Sequence, residues 1–221
     1  MNKTFENRLE AGEQLGEELL KTFAGRKDLV TLGLPRGGVA VAYGVAKALD
    51  APLDVFVVRK LGVPGHQELA MGAIASGDVK VLNHDVVDHL VLSDADINAS
   101  VLVEKQELAR RERAYRGRKP ALELTGKTVI LVDDGLATGA TMHAAIIAAR
   151  RRDAEAVISA VPVASPEAAK KIEREADGLI SLMTPSLFEA VGQWYSSFEQ
   201  LNDREVCRLL EQYWGEKKSR Q

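Results

Sequence analysis

Apolar residues Phe5, Leu9, Leu15, Leu19 and Phe23 recur at helical spacing with charged residues between them. This predicts an amphipathic opening helix, which Gly25 would end. Beyond it the pattern changes. Residues 29–33, 54–58, 128–132 and 156–161 are runs rich in apolar residues, and 178–182 is a shorter run of the same kind. Runs of this length without polar alternation predict strands buried on both faces. Helical patterns over 39–49, 139–151 and 166–176 lie between them. Strand, crossover helix and strand in that order form the unit of a parallel sheet, so the fold class is α/β. A strand pair is expected within 69–82, and a long helix from about 94 to 115. Asn202 and Glu205 are spaced as a capping box, and Val206, Leu209, Leu210, Tyr213 and Trp214 then form one apolar helical face. Neither an internal repeat nor a low-complexity segment is present.

Composition narrows the class without changing the picture. At 221 residues, 46% hydrophobic and 28% charged, the chain suits one globular α/β domain with an accessory element. Disorder is expected only at the ends, above all over 215–221. The N-terminus does not read as a signal peptide, and no apolar run approaches a membrane span. A single cysteine, Cys207, cannot form an intrachain disulfide, which fits a reducing cytoplasm. A net charge of −3 argues against general nucleic-acid binding. The stretch 104–119 is locally basic, with seven Lys/Arg against three acids, and reads as a solvated helix face because Tyr115 is its one aromatic residue.

The segment richest in chemistry is Val129-Ile130-Leu131-Val132-Asp133-Asp134-Gly135-Leu136-Ala137-Thr138-Gly139-Ala140-Thr141. Four apolar residues bury a strand, and two carboxylates stand at its C-terminal end, where open α/β sheets bind ligands. A small-residue turn then opens a helix. Backbone N–H groups there, with the hydroxyls of Thr138 and Thr141, suit a phosphate monoester. The carboxylates can accept hydrogen bonds from vicinal ribose hydroxyls.

This string resembles the signature of the type I phosphoribosyltransferases: four apolar residues, two acids and a Thr-Gly-x-Thr phosphate loop. The resemblance implies a parallel sheet flanked by helices, with a helical insertion and a hood built from the termini. The core would span about 29–182, and the hood about 1–25 and 183–214, in a single domain. Asp133 and Asp134 would hold the ribose hydroxyls of 5-phosphoribosyl-1-pyrophosphate, and Ala137, Thr138, Gly139, Ala140 and Thr141 would cradle its 5′-phosphate. Leu34-Pro35-Arg36-Gly37-Gly38 matches the family's pyrophosphate loop. Its glycines permit close backbone approach, and Arg36 suits a phosphate oxygen. The resemblance also implies a strained or cis peptide between Pro35 and Arg36. Arg59-Lys60-Leu61-Gly62-Val63-Pro64-Gly65 looks like the loop that closes over the leaving pyrophosphate, with an exposed charged turn as the lesser alternative. Mg2+ would be held mainly by substrate oxygens, with Asp133 and Asp134 the side chains able to reach it. Phe188, Trp194, Tyr195 and Phe198 fall where the family builds its hood, so Trp194 could stack on an acceptor base, or these rings could be core or homodimer contacts.

Two departures bear on the acceptor. Enzymes of the family acting on 6-oxopurines usually carry an acid where this chain has Ala137, and the surrounding string is similar to the adenine-type members. Elsewhere the chain resembles bacterial family members with no named acceptor. His66, His84, His89 and His143 have no metal-ligand spacing, and structural roles are expected for all four. Two functions remain open: transfer of phosphoribosyl to a nitrogenous acceptor, or a regulator of the same fold that binds the sugar phosphate or a nucleotide without turnover.

Overall fold

The computed structural model describes residues 4–77 and 79–219. In chain order the elements are α1 (Arg8–Phe23), β1 (Leu29–Gly33), α2 (Gly37–Leu49), β2 (Leu53–Val55), β3 (Val58–Val63), β4 (His66–Ala75) and β5 (Val79–Leu82). They continue with α3 (His84–His89), α4 (Asp94–Arg116), β6 (Thr128–Val132), α5 (Ala140–Arg150), β7 (Ala156–Val163), α6 (Pro166–Glu175), β8 (Gly178–Met183) and α7 (Asp203–Lys218).

Five strands form a parallel sheet in the order β2-β1-β6-β7-β8. Every residue of β1 and β6 is buried because helices cover both faces. Successive side chains go to opposite layers. Leu29, Ile130 and Val132 pack with α1, α2, α4 and α7, whereas Val30, Leu32, Val129 and Leu131 pack with α5 and α6. α2 carries the chain from β1 to one side, and α5 carries it from β6 to the other. The strand order therefore reverses between β1 and β6, and the loops leaving their C-terminal ends open into one crevice.

Beside this sheet stands a three-stranded antiparallel sheet, β3-β4-β5. It corrects two expectations. The strand expected over 54–58 is divided between sheets: Phe56 N–H donates to Gly33 O at 2.9 Å, Val57 N–H donates to Ser76 Oγ at 2.9 Å, and Val58 pairs with Ala75. An apolar run records burial but not which sheet supplies the partners. The expected loop beginning at Arg59 is β3 itself, with Lys60 opposite Ala73 and Leu61 opposite Gly72. Only Pro64 and Gly65, the latter at φ +79°, form the turn.

The terminal segments meet. Phe5 N–H donates to Trp194 O at 2.9 Å and Ser196 N–H to Phe5 O at 2.7 Å. Phe5, Trp194 and Tyr195 share a small buried cluster. The expectation of a disordered tail from 215 is also corrected, because α7 continues to Lys218. Its capping box at Asn202 and Glu205 starts it. Trp214 Nε1 donates to Leu53 O at 2.9 Å, Tyr213 Oη donates to Ala46 O at 3.2 Å, and Lys217 pairs with Asp50, so the last turns are tied to α2 and β2. Arg220 and Gln221 lie outside the described residues. Among the described residues, no helix is long and apolar enough to cross a membrane.

Candidate active site

Asp133 and Asp134 leave the end of β6 into the crevice. Directly opposite, the Pro35–Arg36 peptide is cis, as the resemblance implies, and α2 begins at Gly37. The two loops touch. A Cβ on Gly38 would lie 2.6 Å from Val132 O and 2.8 Å from Asp133 Cα, and one on Gly37 would lie 1.8 Å from Asp134 Oδ2. Glycine leaves the room needed at both positions: at Gly38 the space is taken by the backbone of Val132 and Asp133, and at Gly37 by the side chains of Asp134 and Arg8. Leu34 N–H donates to Val132 O at 2.8 Å, continuing the β1–β6 pairing up to the acids. Arg36 is half-buried at the N-cap of α2, and among the described residues its guanidinium makes no hydrogen bond or ion pair.

The loop over 137–141 is anchored from below. Ser165 Oγ donates to Ala137 O at 2.8 Å, and Leu136 N–H donates to Val163 O at 2.9 Å. Gly139, at φ +71°, is the N-cap of α5 and has no side chain to cap it. Ala140 N–H has only a 3.4 Å contact with Thr138 Oγ1, so the first-turn donors are open to a ligand oxygen. Ala137, Thr138, Ala140 and Thr141 are exposed. Ala140 and Thr141 also line a cavity of about 530 Å³, together with Lys60, His143 and Lys171.

Electrostatically the acids form an unusual pair. Burial and then the neighbouring Asp134 charge push the Asp133 carboxyl well above the usual range. Burial also raises Asp134, opposed by Arg8, whose Nε donates to Asp134 Oδ2 at 2.7 Å. Tyr195 Oη donates to Asp134 O at 2.6 Å, and burial together with the Asp134 charge raises this phenol, keeping it a donor. Neither Arg8 nor Tyr195 was singled out as a contact of the acids from the sequence. Arg8 follows the helix cap Asn7 as an ordinary first-turn residue, and nothing local marks its partner 126 positions away.

Three other expectations change. Arg59 and Lys60 are neighbours on a strand and so point to opposite faces. Lys60 lines the cavity beside Thr141, whereas Arg59 pairs with Glu104 of α4 at 2.7 Å. Only Lys60 stays near the candidate site. Trp194 is 6% exposed inside the aromatic cluster, so its ring is packed as core and is not open to stack on a base. In the basic helix, Arg110 and Arg111 both donate to Glu107 at 2.7 Å, while Arg116 makes a buried ion pair with Asp54 at 2.9 Å. Part of that basic face is thus tied up in ion pairs within the helix and with β2, and Arg116 is not solvated. His143 Nδ1 lies 2.6 Å from Glu175 Oε2, while the side chain of His84 lies outside the described residues.

The phosphoribosyl transferase domain model matches residues 3–194. Over 209 residues, 95% of the chain, the protein is 46% identical to a Mycobacterium tuberculosis H37Rv protein described as a phosphoribosyl transferase. The chain spans 47% of that relative's length. It is also 32% identical over 104 residues to a uracil phosphoribosyltransferase of Streptomyces griseus, covering 47% of this chain and 48% of the relative. The crystal structure of TT1426 from Thermus thermophilus superposes with a TM-score of 0.85 at 38% identity, covering 95% of this chain and 99% of that one.

Proposed function

The chain belongs to the phosphoribosyltransferase family of the type I fold, and from that premise we propose that it transfers the phosphoribosyl group of 5-phosphoribosyl-1-pyrophosphate to a nitrogenous acceptor, with Mg2+ bound and pyrophosphate released. One observation carries the proposal: the glycines of the 34–38 loop are seated directly on Asp133 and Asp134. A diphosphate held by one loop is thereby brought next to a ribose held by the other.

In this reading the α5 N-terminus and the hydroxyls of Thr138 and Thr141 bind the 5′-phosphate. Asp133 and Asp134 accept from the ribose hydroxyls and stabilise the positive charge that develops on the ring. Arg36, with the N–H groups of Gly37 and Gly38, neutralises the departing pyrophosphate. Lys60 supplies a further cation from the small sheet. The acceptor nitrogen attacks C1, and no enzyme nucleophile is needed. Two half-buried carboxylates are hard oxygen donors of the kind Mg2+ takes, and with Arg8 on one oxygen of Asp134 they could fill only part of an octahedral shell. Substrate oxygens and water would complete it. When bound, the ion neutralises charge on the pyrophosphate.

The test is to incubate the protein with Mg2+, the sugar pyrophosphate and a panel of acceptors, and to measure pyrophosphate release. Adenine is the first acceptor, given Ala137. Uracil joins the panel because of the Streptomyces relative. Turnover of hypoxanthine or guanine would refute the argument from Ala137. Tight binding of the sugar pyrophosphate with no release for any acceptor would favour the regulator, a reading to which the engagement of Arg59 by Glu104 gives some weight. In either case Asp134→Ala should weaken binding by about 1.5 to 3 kcal/mol, the range for hydrogen bonds to charged groups. We place this activity in a cytoplasmic homodimer, which fractionation and sedimentation would test.

A further inference from the structure

The opening helix places a cation on the acid pair. Arg8 and Asp134 side chains are only 11% and 17% exposed, and the Nε to Oδ2 distance is 2.7 Å. The guanidinium is held from two further directions. Nη1 donates to Glu199 O at 2.8 Å, and the guanidinium carbon lies 3.7 Å above the Phe198 ring centroid. That ring is itself packed on Tyr195, with centroids 5.0 Å apart, and Tyr195 Oη holds the Asp134 carbonyl. Gly37 leaves the room for this arrangement, since a Cβ there would approach Arg8 Nε to 2.9 Å. Both terminal segments and the 34–38 loop thus converge on one carboxylate.

We infer that Arg8 is a positioning residue of the site, fixing the Asp134 carboxylate through Oδ2 so that its remaining acceptor capacity faces the ribose hydroxyls. The inference rests on the reading of Asp134 as a ribose ligand. A carboxylate has about four acceptor sites, so a single N–H on Oδ2 leaves enough for a hydroxyl. A planar guanidinium stacked on an aromatic ring and bonded at two nitrogens has little rotational freedom, and it passes that rigidity to its partner. Without it, a half-buried carboxylate beside a second carboxylate would turn away from its neighbour and toward water. Ligand binding would then have to restore the productive rotamer.

The experiment measures calorimetric affinity for 5-phosphoribosyl-1-pyrophosphate with Mg2+ in the wild type, Arg8→Gln, Asp134→Asn and the double variant, with a thermal melt of each. Arg8→Gln is expected to weaken binding by about tenfold, the loss of one hydrogen bond to a charged group. In the Asp134→Asn background the same change should alter affinity by less than about twofold, because coupled residues do not add. Arg8→Lys keeps the charge but not the fork or the stack and should recover only part of the loss; it is also the variant to use should Arg8→Gln fold poorly. Equal affinity of Arg8→Gln and wild type would overturn the inference. So would an equal loss in both backgrounds, since an Arg8 that merely anchors α1 would act independently of Asp134. A wild type that binds no sugar pyrophosphate would overturn the ribose reading first, and this inference with it.

Discussion

Gly38→Ala probes the contact on which the proposed site depends. The added Cβ would meet Val132 O at 2.6 Å, Asp133 Cα at 2.8 Å and Asp133 Oδ1 at 3.0 Å. Two of these atoms are backbone at the end of a fully buried strand, so no rotamer change relieves the overlap. The start of α2 must instead withdraw from β6 by about 0.8 Å to restore ordinary contact. Overpacking of this kind costs about 1 to 3 kcal/mol, and rigid backbone places it near the upper end. Alanine recovers at most about 1 kcal/mol through helix propensity, leaving a net loss of about 2 kcal/mol. For a chain of this length that lowers Tm by about 4 to 8 °C. The same displacement exceeds the roughly 0.5 Å within which a binding constellation must be held, so affinity for the sugar pyrophosphate should fall about tenfold. Thermal melts followed by circular dichroism read the first effect, and calorimetry with Mg2+ reads the second. Gly215→Ala is the control: it lies within α7 with nothing within 4 Å of the new Cβ, so it should raise Tm by about 1 to 4 °C. Wild-type stability and affinity in Gly38→Ala would refute the close seating of the two loops.

Lys60→Ala should lower kcat by at least about tenfold with a smaller change in ligand Kd, because in the proposed mechanism a cation beside Thr141 acts most as charge develops. Arg59→Ala, whose side chain faces Glu104, should leave kcat within about twofold, and equal effects of the two in steady-state kinetics would contradict their separation by the strand. Arg116→Met leaves Asp54 buried without its partner and should destabilise by about 3 to 5 kcal/mol in denaturant unfolding. Hydrogen bonds from Arg110 and then Arg111 hold the Glu107 carboxyl down from 4.5 to about 2. Its stabilising contribution is therefore complete above pH 4.5 and disappears as the pH falls through about 2. Glu107→Gln should flatten that part of the stability profile by less than about 1 kcal/mol, since the cluster lies at the surface with Arg110 exposed, and urea melts across the window would detect it.

Particular residues mark the boundary between what the amino-acid order specifies and what it leaves open. The bounds of β1 and β6 follow from the sequence to the residue, because strands buried on both faces read as short, nearly continuous apolar runs, with Thr31 and Thr128 as the polar members here, and end where turn residues or acids begin. α7 was readable from Asn202 and Glu205, since a cap is a contact between residues three apart. The acids, the small-residue turn over 137–141 and the glycine turn are each visible as local strings. What the strings could not contain is which distant group meets each of them. Lys60 and Arg59 are equivalent cations until pairing of Lys60 with Ala73 makes them face opposite ways. Trp194 reads as a stacking surface until the fold buries it in one cluster with Phe5, Val163 and Tyr195. The basic helix looks free until Asp54, 62 positions away, takes Arg116 into the interior. Periodicity and capping are set by neighbours within a turn or a pleat, so the amino-acid order alone determines them. The partner of a charge is set by chain crossings that bring β1 beside β6 and both termini over the same crevice, and only the folded molecule decides that Arg8 and Gly37 meet at Asp134.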